Sequence, residues 1–282
     1  MFSRLSLSWQ LMRASAAVLR SDKVLLAFPF FSGVSLALVA ATFFVPAFLG
    51  GLFVGASTGN VDPALAALGF VFYLAQYFVI IFFNTALIGA AMIRLRGGTP
   101  TFNDGLRIAV GKLPAILGYA LISATVGLAL RLLSERLGFL GQWVVKLLGA
   151  AWTVATYMAV PVLVSTDVGP VEAVRRSVSL LKKTWGENLV GHAGFSLVFG
   201  LLIAVVVISG VVLMMAGASA NSRATTVVAM TYIVIGMATL SLIQAAMQGI
   251  YAAALYRYAD EGIVSDGFDQ GLIVHAFEPK PR

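Results

Sequence analysis

LAALGFVFYLAQYFVIIFFNTALIGAAMI, residues 65–93, carries no charged side chain until Arg94 and Arg96 close it. A helix of this length, rising about 1.5 Å per residue, exceeds the ~30 Å of hydrocarbon in a bilayer. Its backbone satisfies its own hydrogen bonds, as lipid requires. Five further stretches share this character, at 25–48, 113–132, 142–164, 189–216 and 226–256. The six together predict an all-α integral membrane protein. Hydrophobic residues make up 60% of the chain and charged residues 11%. Soluble domains carry about half apolar and a quarter charged residues, so the composition excludes that class.

The net charge of +7 follows the gaps between spans. Arg4, Arg13, Arg20, Lys23, Arg94, Arg96, Arg107, Lys112, Arg175, Arg176, Lys182, Lys183, Arg257, Lys280 and Arg282 fall on one side of the predicted topology. Only Arg131, Arg136, Lys146 and Arg223 fall at or near the other. The positive-inside rule then puts both termini in the cytoplasm, consistent with an even number of spans. Basic residues arranged this way point to anionic lipid headgroups and away from nucleic acid. The chain reads as a single polytopic domain over 1–258 and a cytoplasmic tail over 259–282, in the cytoplasmic membrane of a prokaryote. The first 23 residues have no short apolar core with a small-residue cleavage site, so 25–48 is expected to act as an uncleaved targeting segment. No cysteine is present, which removes disulfides and thiolate chemistry.

Three connecting stretches, at about 3–21, 101–112 and 170–186, have a helical period of their own. In the first, Leu5, Trp9, Met12, Ala16 and Leu19 oppose Ser6, Gln10, Arg13 and Arg20. In the third, Val171, Val174, Val178, Leu181 and Trp185 oppose Glu172, Arg175, Ser179 and Lys182. The middle one sets Phe102, Leu106, Ala109 and Leu113 against Asp104 and Arg107. Such helices are expected at the interface, with Arg13, Arg20, Lys23, Lys182 and Lys183 near headgroups. Residues Ser8 to Ser15 also align without gaps to Ser177 to Thr184. The pattern predicts three transmembrane hairpins, each preceded by an amphipathic interfacial helix, an arrangement of a kind used by transport folds and inert scaffolds alike.

Chemistry is sparse within the spans. His192 and His275 lack partners at metal-ligand spacing, and the carboxylates lie in loops and ends. Lys146 and Arg131 are close enough to span ends to snorkel. The remaining polar candidates are Gln76, Asn84 and Thr85; Thr153, Thr156 and Tyr157; and Gln244 and Gln248. Amides in hydrocarbon usually bond one helix to another; Gln76, Asn84, Gln244 and Gln248 could instead line a polar cavity. Small residues recur every four positions at Gly33, Ala37 and Ala41; at Ala151, Ala155 and Ala159; and at Ala245, Gly249 and Ala253. They predict close helix packing within the bundle or between copies. Pro46 and Pro161 should kink spans one and four.

The segment PVLVSTDVGPVEAVRRSVSLLKKTWG, residues 161–186, resembles the signature of a prokaryotic family of uncharacterised six-helix membrane proteins. The positions that carry the resemblance are Pro161, Gly169, Pro170, Glu172, Ala173, Arg175, Arg176, Ser177, Lys182, Lys183, Trp185 and Gly186. SWQLMRASAAVLRSDKVLLAFP, DGLRIAVGKLPAILGYALISATVGLALR and GFDQGLIVHAFEPK extend it over nearly the whole chain. More distantly, the sequence is similar to the membrane region attached to some glycerophosphodiester phosphodiesterases, without their catalytic domain. The resemblance implies a fold and no reaction. Physically the signature reads as an elbow: Pro161 bends span four, Gly169 and Pro170 turn the chain, and Glu172 meets a helix N-terminus. With no reactive constellation, a non-enzymatic role without cofactor is expected, as a scaffold, partner or lipid-organising bundle. Its partners would be membrane lipids, a second copy or another membrane protein. The alternative is a carrier or pore for lipid or another small molecule.

Overall fold

A computed structural model describes residues 2–49, 63–183 and 188–263. The outer loop expected near 50–63 lies almost wholly outside them. So do Trp185, Gly186, His275 and the tail from 264, and the side chains of Leu5, Lys183 and His192 are likewise not described. In chain order the helices are α1 (Phe2–Ser21), α2 (Ala27–Leu49), α3 (Pro63–Leu95), α4 (Phe102–Gly111) and α5 (Leu113–Arg136). They continue with α6 (Phe139–Ala155), α7 (Ala159–Ser165), α8 (Pro170–Lys183), α9 (Asn188–Ser219) and α10 (Arg223–Glu261). A 3-10 turn at Lys23–Leu26 joins α1 to α2, and no strand occurs among the described residues. Six segments are long and apolar enough to cross a membrane: Lys23–Pro46, Leu65–Leu95, Leu113–Arg136, Gly141–Ser165, Phe195–Ser219 and Arg223–Glu261.

Several boundaries move outward from the expected ones, most at the ends of the third and sixth spans. The third span ends at Arg136, because Arg131 pairs with Glu135 across one turn. The sixth runs past Tyr256 and through the start of the expected tail to Glu261. Arg257 and Glu261 pair one turn apart, and Gly262, at φ 69°, ends the helix with its N–H on the Tyr258 carbonyl. The fourth span, expected as one kinked helix, is two. Pro161 has no N–H to give Tyr157 and its ring crowds that carbonyl, so the α-helical ladder stops at Ala155 and restarts at Ala159. At Pro46 no such break occurs, and α2 continues to Leu49.

Burial is concentrated at one end of the bundle. Its core is built from Leu11 to Leu19 of α1, Ile81 to Leu95 of α3, Met158 to Leu163, Leu180 and Leu181 of α8, and Ala246 to Tyr256 of α10. Most basic residues ring this same end, called the basic end below. The other halves of the long helices expose Leu38, Val205, Ile208, Val212 and Val234. In water a continuous apolar surface of this extent would be a liability, and in lipid it is the expected exterior. The reason for the asymmetry is the short helices: α4 packs on α3, α8 on α7, α5 and α6, and α1 on α10 and α9. They add a second layer at one end only.

The buried faces of α1 and α8 share Met12, Leu19 and Leu181 with the expected apolar stripes and depart from them at Trp9 and Val171. Trp9 (52% exposed) and Val171 (62% exposed) point outward beside exposed Arg13 and Arg175. The inward sets are Leu11, Ser15, Val18 and Leu19 in α1, and Ala173, Ser177, Leu180 and Leu181 in α8. These sets share one spacing, in a register seven residues away from the alignment of Ser8 with Ser177. The small-residue stripe of α2 also departs from expectation: Gly33, Ala37 and Ala41 are exposed, and a Cβ on Gly33 would touch nothing within 4 Å. The stripes of α6 to α7 and of α10 are buried only toward the basic end, at Ala159, Gly249 and Ala253.

Candidate cavity and its closed end

The break in span four is held by a side chain from α8. Ser177 is fully buried; its hydroxyl donates to the Ala155 carbonyl at 2.7 Å and accepts the Met158 N–H at 3.0 Å. One hydroxyl thus satisfies a free acceptor and a free donor left by the interruption. The elbow residues set Ser177 in place. Pro170 opens α8, Gly169 accepts the Ala173 N–H, and Glu172 in the first turn pairs with Arg176 at 3.3 Å and Arg175 at 3.6 Å. Lys112 reaches the elbow from the α4–α5 junction, donating to the Thr166 carbonyl at 2.9 Å and pairing with Asp167. That pairing holds the Asp167 carboxyl below its ordinary range.

Between α2, α3, α5, α6, α7 and α10 lies a cavity of about 660 Å³. The residues of the break, Thr156 and Tyr157, form part of its wall. Asn84 of α3 and Gln248 of α10 face it, together with Tyr77, Tyr119, Trp152 and a set of serine and threonine hydroxyls. None of the lining residues is charged. Neither the Asn84 nor the Gln248 side chain is hydrogen-bonded to another described residue. The other two sequence candidates stand elsewhere: Gln76 donates to the Leu36 carbonyl at 3.4 Å, and Gln244 is not part of the lining. A four-residue spacing puts Gln244 and Gln248 on one side of α10, but the small offset of each helical turn and the exit of α10 from the core separate their surroundings.

The cavity is closed toward the basic end. Along α3 the wall passes from exposed Ile80 to buried Leu87 and Ile88, and along α10 from exposed Ser241 and Ala245 to buried Gly249 and Ala252. From α6 to α7 it passes from exposed Thr153 to buried Val160. Beyond the buried layer a set of ionic contacts ties the helix ends together. Arg257, 6% exposed, donates to the Leu95 carbonyl and to Glu261 at 3.2 Å. Glu261 also accepts from Arg96 at 2.9 Å, while Arg94 donates to Ser21 at 3.2 Å and lies 4.0 Å from Asp22. These contacts were not legible in the sequence, where Arg94, Arg96 and Arg257 read only as topology markers. Lys146, the deepest lysine of the expected spans, is exposed and stacks its ammonium 4.9 Å from the Trp143 ring.

Of the basic-surface candidates, Arg13, Arg20, Lys23 and Lys182 are exposed at the basic end, as are Arg175 and Arg176 of the elbow. Comparison with curated proteins finds no match, so the likeness to the membrane region of glycerophosphodiester phosphodiesterases gains no support. Residues 64–267, spanning α3 to the end of α10, do match a described family, and the chain belongs to it: the family of unknown function DUF6159.

Proposed function

We propose that this is a non-enzymatic carrier of the cell membrane that binds a small amphipathic molecule in the cavity between its spans. The observation that carries the reading is the pair of unbonded amides, Asn84 and Gln248, facing a cavity among apolar helices. An amide in hydrocarbon normally finds a partner, because an unmade hydrogen bond there is costly. Two amides without one, on the neighbouring helices α3 and α10 that wall the cavity, are positioned for a ligand's polar group. A bundle filled by side chains would have favoured a scaffold instead.

In this reading the six spans form three hairpins, α2–α3, α5–α7 and α9–α10. Each is preceded by a surface helix that covers the previous hairpin, with α1 closing the ring on the third. The basic end faces the cytoplasm, in keeping with the positive-inside rule. Trp9, Arg13, Arg107, Arg175 and Lys182 then lie at the level of anionic headgroups. The cavity opens away from the cytoplasm and is sealed toward it by the buried layer and the Arg257 contacts. A closed seal on one side and an open cavity on the other match one state of an alternating-access cycle.

The test is movement of labelled lipids and small amphiphiles in proteoliposomes. The double variant Asn84→Leu with Gln248→Met, close in volume and without amides, is expected to slow movement about tenfold while unfolding as the parent does. Movement by the parent that is indifferent to both substitutions, or no movement across a broad panel, overturns the proposal.

A further inference from the structure

The cavity has hydrogen-bonding groups on several walls and no charge on any. We infer that it selects an amphiphile with an uncharged, hydroxyl-rich headgroup, such as a glyceride or glycosylated glyceride, over a phosphate-bearing lipid. This rests on the carrier reading and adds the class of its substrate.

The argument is electrostatic. A phosphate leaving water for a cavity among apolar helices needs a counter-charge or a dense set of donors to offset its lost hydration. The lining supplies neither Lys nor Arg. The nearest basic side chains beyond the closed end are engaged already: Arg257 with Leu95 and Glu261, Arg96 with Glu261, Arg94 with Ser21, and Lys112 with Thr166 and Asp167. A cationic headgroup fares no better, because no carboxylate lines the cavity.

The groups that are present suit hydroxyls. Each amide offers two donors and an acceptor with two lone pairs, the pattern that vicinal hydroxyls complement. The Thr153 hydroxyl spends its proton on the Gly149 carbonyl at 2.9 Å and so keeps acceptor lone pairs, while Thr156, which donates to the Trp152 carbonyl at 2.8 Å, also meets the Tyr119 hydroxyl. Tyr77, Tyr119 and Trp152 add flat faces against which the C–H face of a sugar or glycerol can lie. The cavity volume lies within the usual range for a small-molecule site.

The experiment measures retention of defined lipids by the full-length protein in detergent, with competition among dioleoylglycerol, a monoglucosyl diacylglycerol, phosphatidylglycerol and phosphatidylethanolamine. The neutral lipids are expected to bind at least about tenfold more tightly than phosphatidylglycerol, and to lose that advantage in Asn84→Leu and Gln248→Met. Thermal unfolding of each variant, unchanged from the parent, separates loss of binding from loss of fold. Preferential binding of phosphatidylglycerol or phosphatidylethanolamine that depends on Asn84 and Gln248 overturns the neutral class and leaves the carrier standing. Equal retention of all lipids, indifferent to both substitutions, or retention of none, overturns both.

Discussion

Ser177 is the residue on which the interior of span four depends. Its single hydroxyl occupies both backbone groups freed at the break, deep enough that water does not replace it. Ser177→Ala leaves a buried Met158 N–H and the Ala155 carbonyl without that partner, at an expected cost of about 1–3 kcal/mol. A lowered thermal midpoint in detergent checks this, and an unchanged midpoint would show that the break needs no bridge. Because Thr156 and Tyr157 line the cavity, the same variant should also weaken ligand retention without touching the ligand. Ser15, at the matching inward position of α1, is buried with no hydrogen-bond partner. With no bond to lose, Ser15→Ala should leave stability unchanged or slightly raised.

At the scale of elements, α4 shows how a short polar helix is fixed to a long apolar one. Its N-terminus is a capping box: Thr101 accepts from the Asp104 N–H, and Asp104 accepts from the Thr101 N–H at 3.0 Å and its hydroxyl at 2.7 Å. Those Thr101 donors, and Arg107 after them, hold the Asp104 carboxyl below its ordinary range. A depressed folded value means the contribution is present above the unfolded pKa of about 4 and fades as pH falls through the lower folded one. Hydrogen exchange of the α4 amides, corrected for intrinsic rate, should therefore rise at acidic pH in the parent and already be raised near neutral pH in Asp104→Asn. The body of α4 touches α3 at Gly105, where an added Cβ would sit 2.7 Å from the Ala86 carbonyl oxygen and 2.4 Å from Phe28 Cζ. The ring of Phe28 also stacks on Phe102 at 5.0 Å, so it has little room to yield. Gly105→Ala is expected to cost about 1–3 kcal/mol by forcing α4 off α3, read as a lowered unfolding midpoint.

For the molecule as a whole, the distribution of burial says where the fold is held. The basic end carries the second layer of short helices and the ionic ties; the far halves of α9 and α10 pack chiefly on each other, with Ser209 and Tyr232 3.2 Å apart between them. Arg257 sits at the centre of the firm end. Arg257→Met removes the donor to Leu95 and half of the Glu261 bridge, leaving a carboxylate one quarter exposed beside Arg96. Breaking a mostly buried pair from one side is expected to destabilise by about 2 kcal/mol or more, less than for a fully buried pair because Glu261 keeps some water. If those contacts also close the cavity, the variant should gain accessibility to a thiol reagent at a cysteine placed at Ala253. The chain has no cysteine of its own to confuse that measurement. An unreactive Ala253→Cys in both backgrounds would show that the buried layer alone makes the seal.

The sequence by itself determined the six spans. Hydrocarbon demands long uninterrupted apolar helices whose backbone groups pair internally, so the six spans could be read locally, whereas the split of span four before Pro161 and the unbroken course of α2 through Pro46 could not. The same local rule placed α4 and α8 within a residue or two at their starts. It put Met12, Leu19 and Leu181 on buried faces of α1 and α8 but did not distinguish Trp9 and Val171, which face out, because in a membrane apolar side chains have two suitable neighbours, lipid and protein. It also named four amides for a cavity that takes in two. Which of them meets a partner, a wall or an opening depends on how α3 and α10 are rotated against helices far away in the chain. Ser177 meeting Ala155, and Arg257 meeting Leu95 across 162 positions, were decided only by tertiary structure. The physical reason is that a hydrogen bond between distant residues leaves no periodic mark on the sequence that makes it.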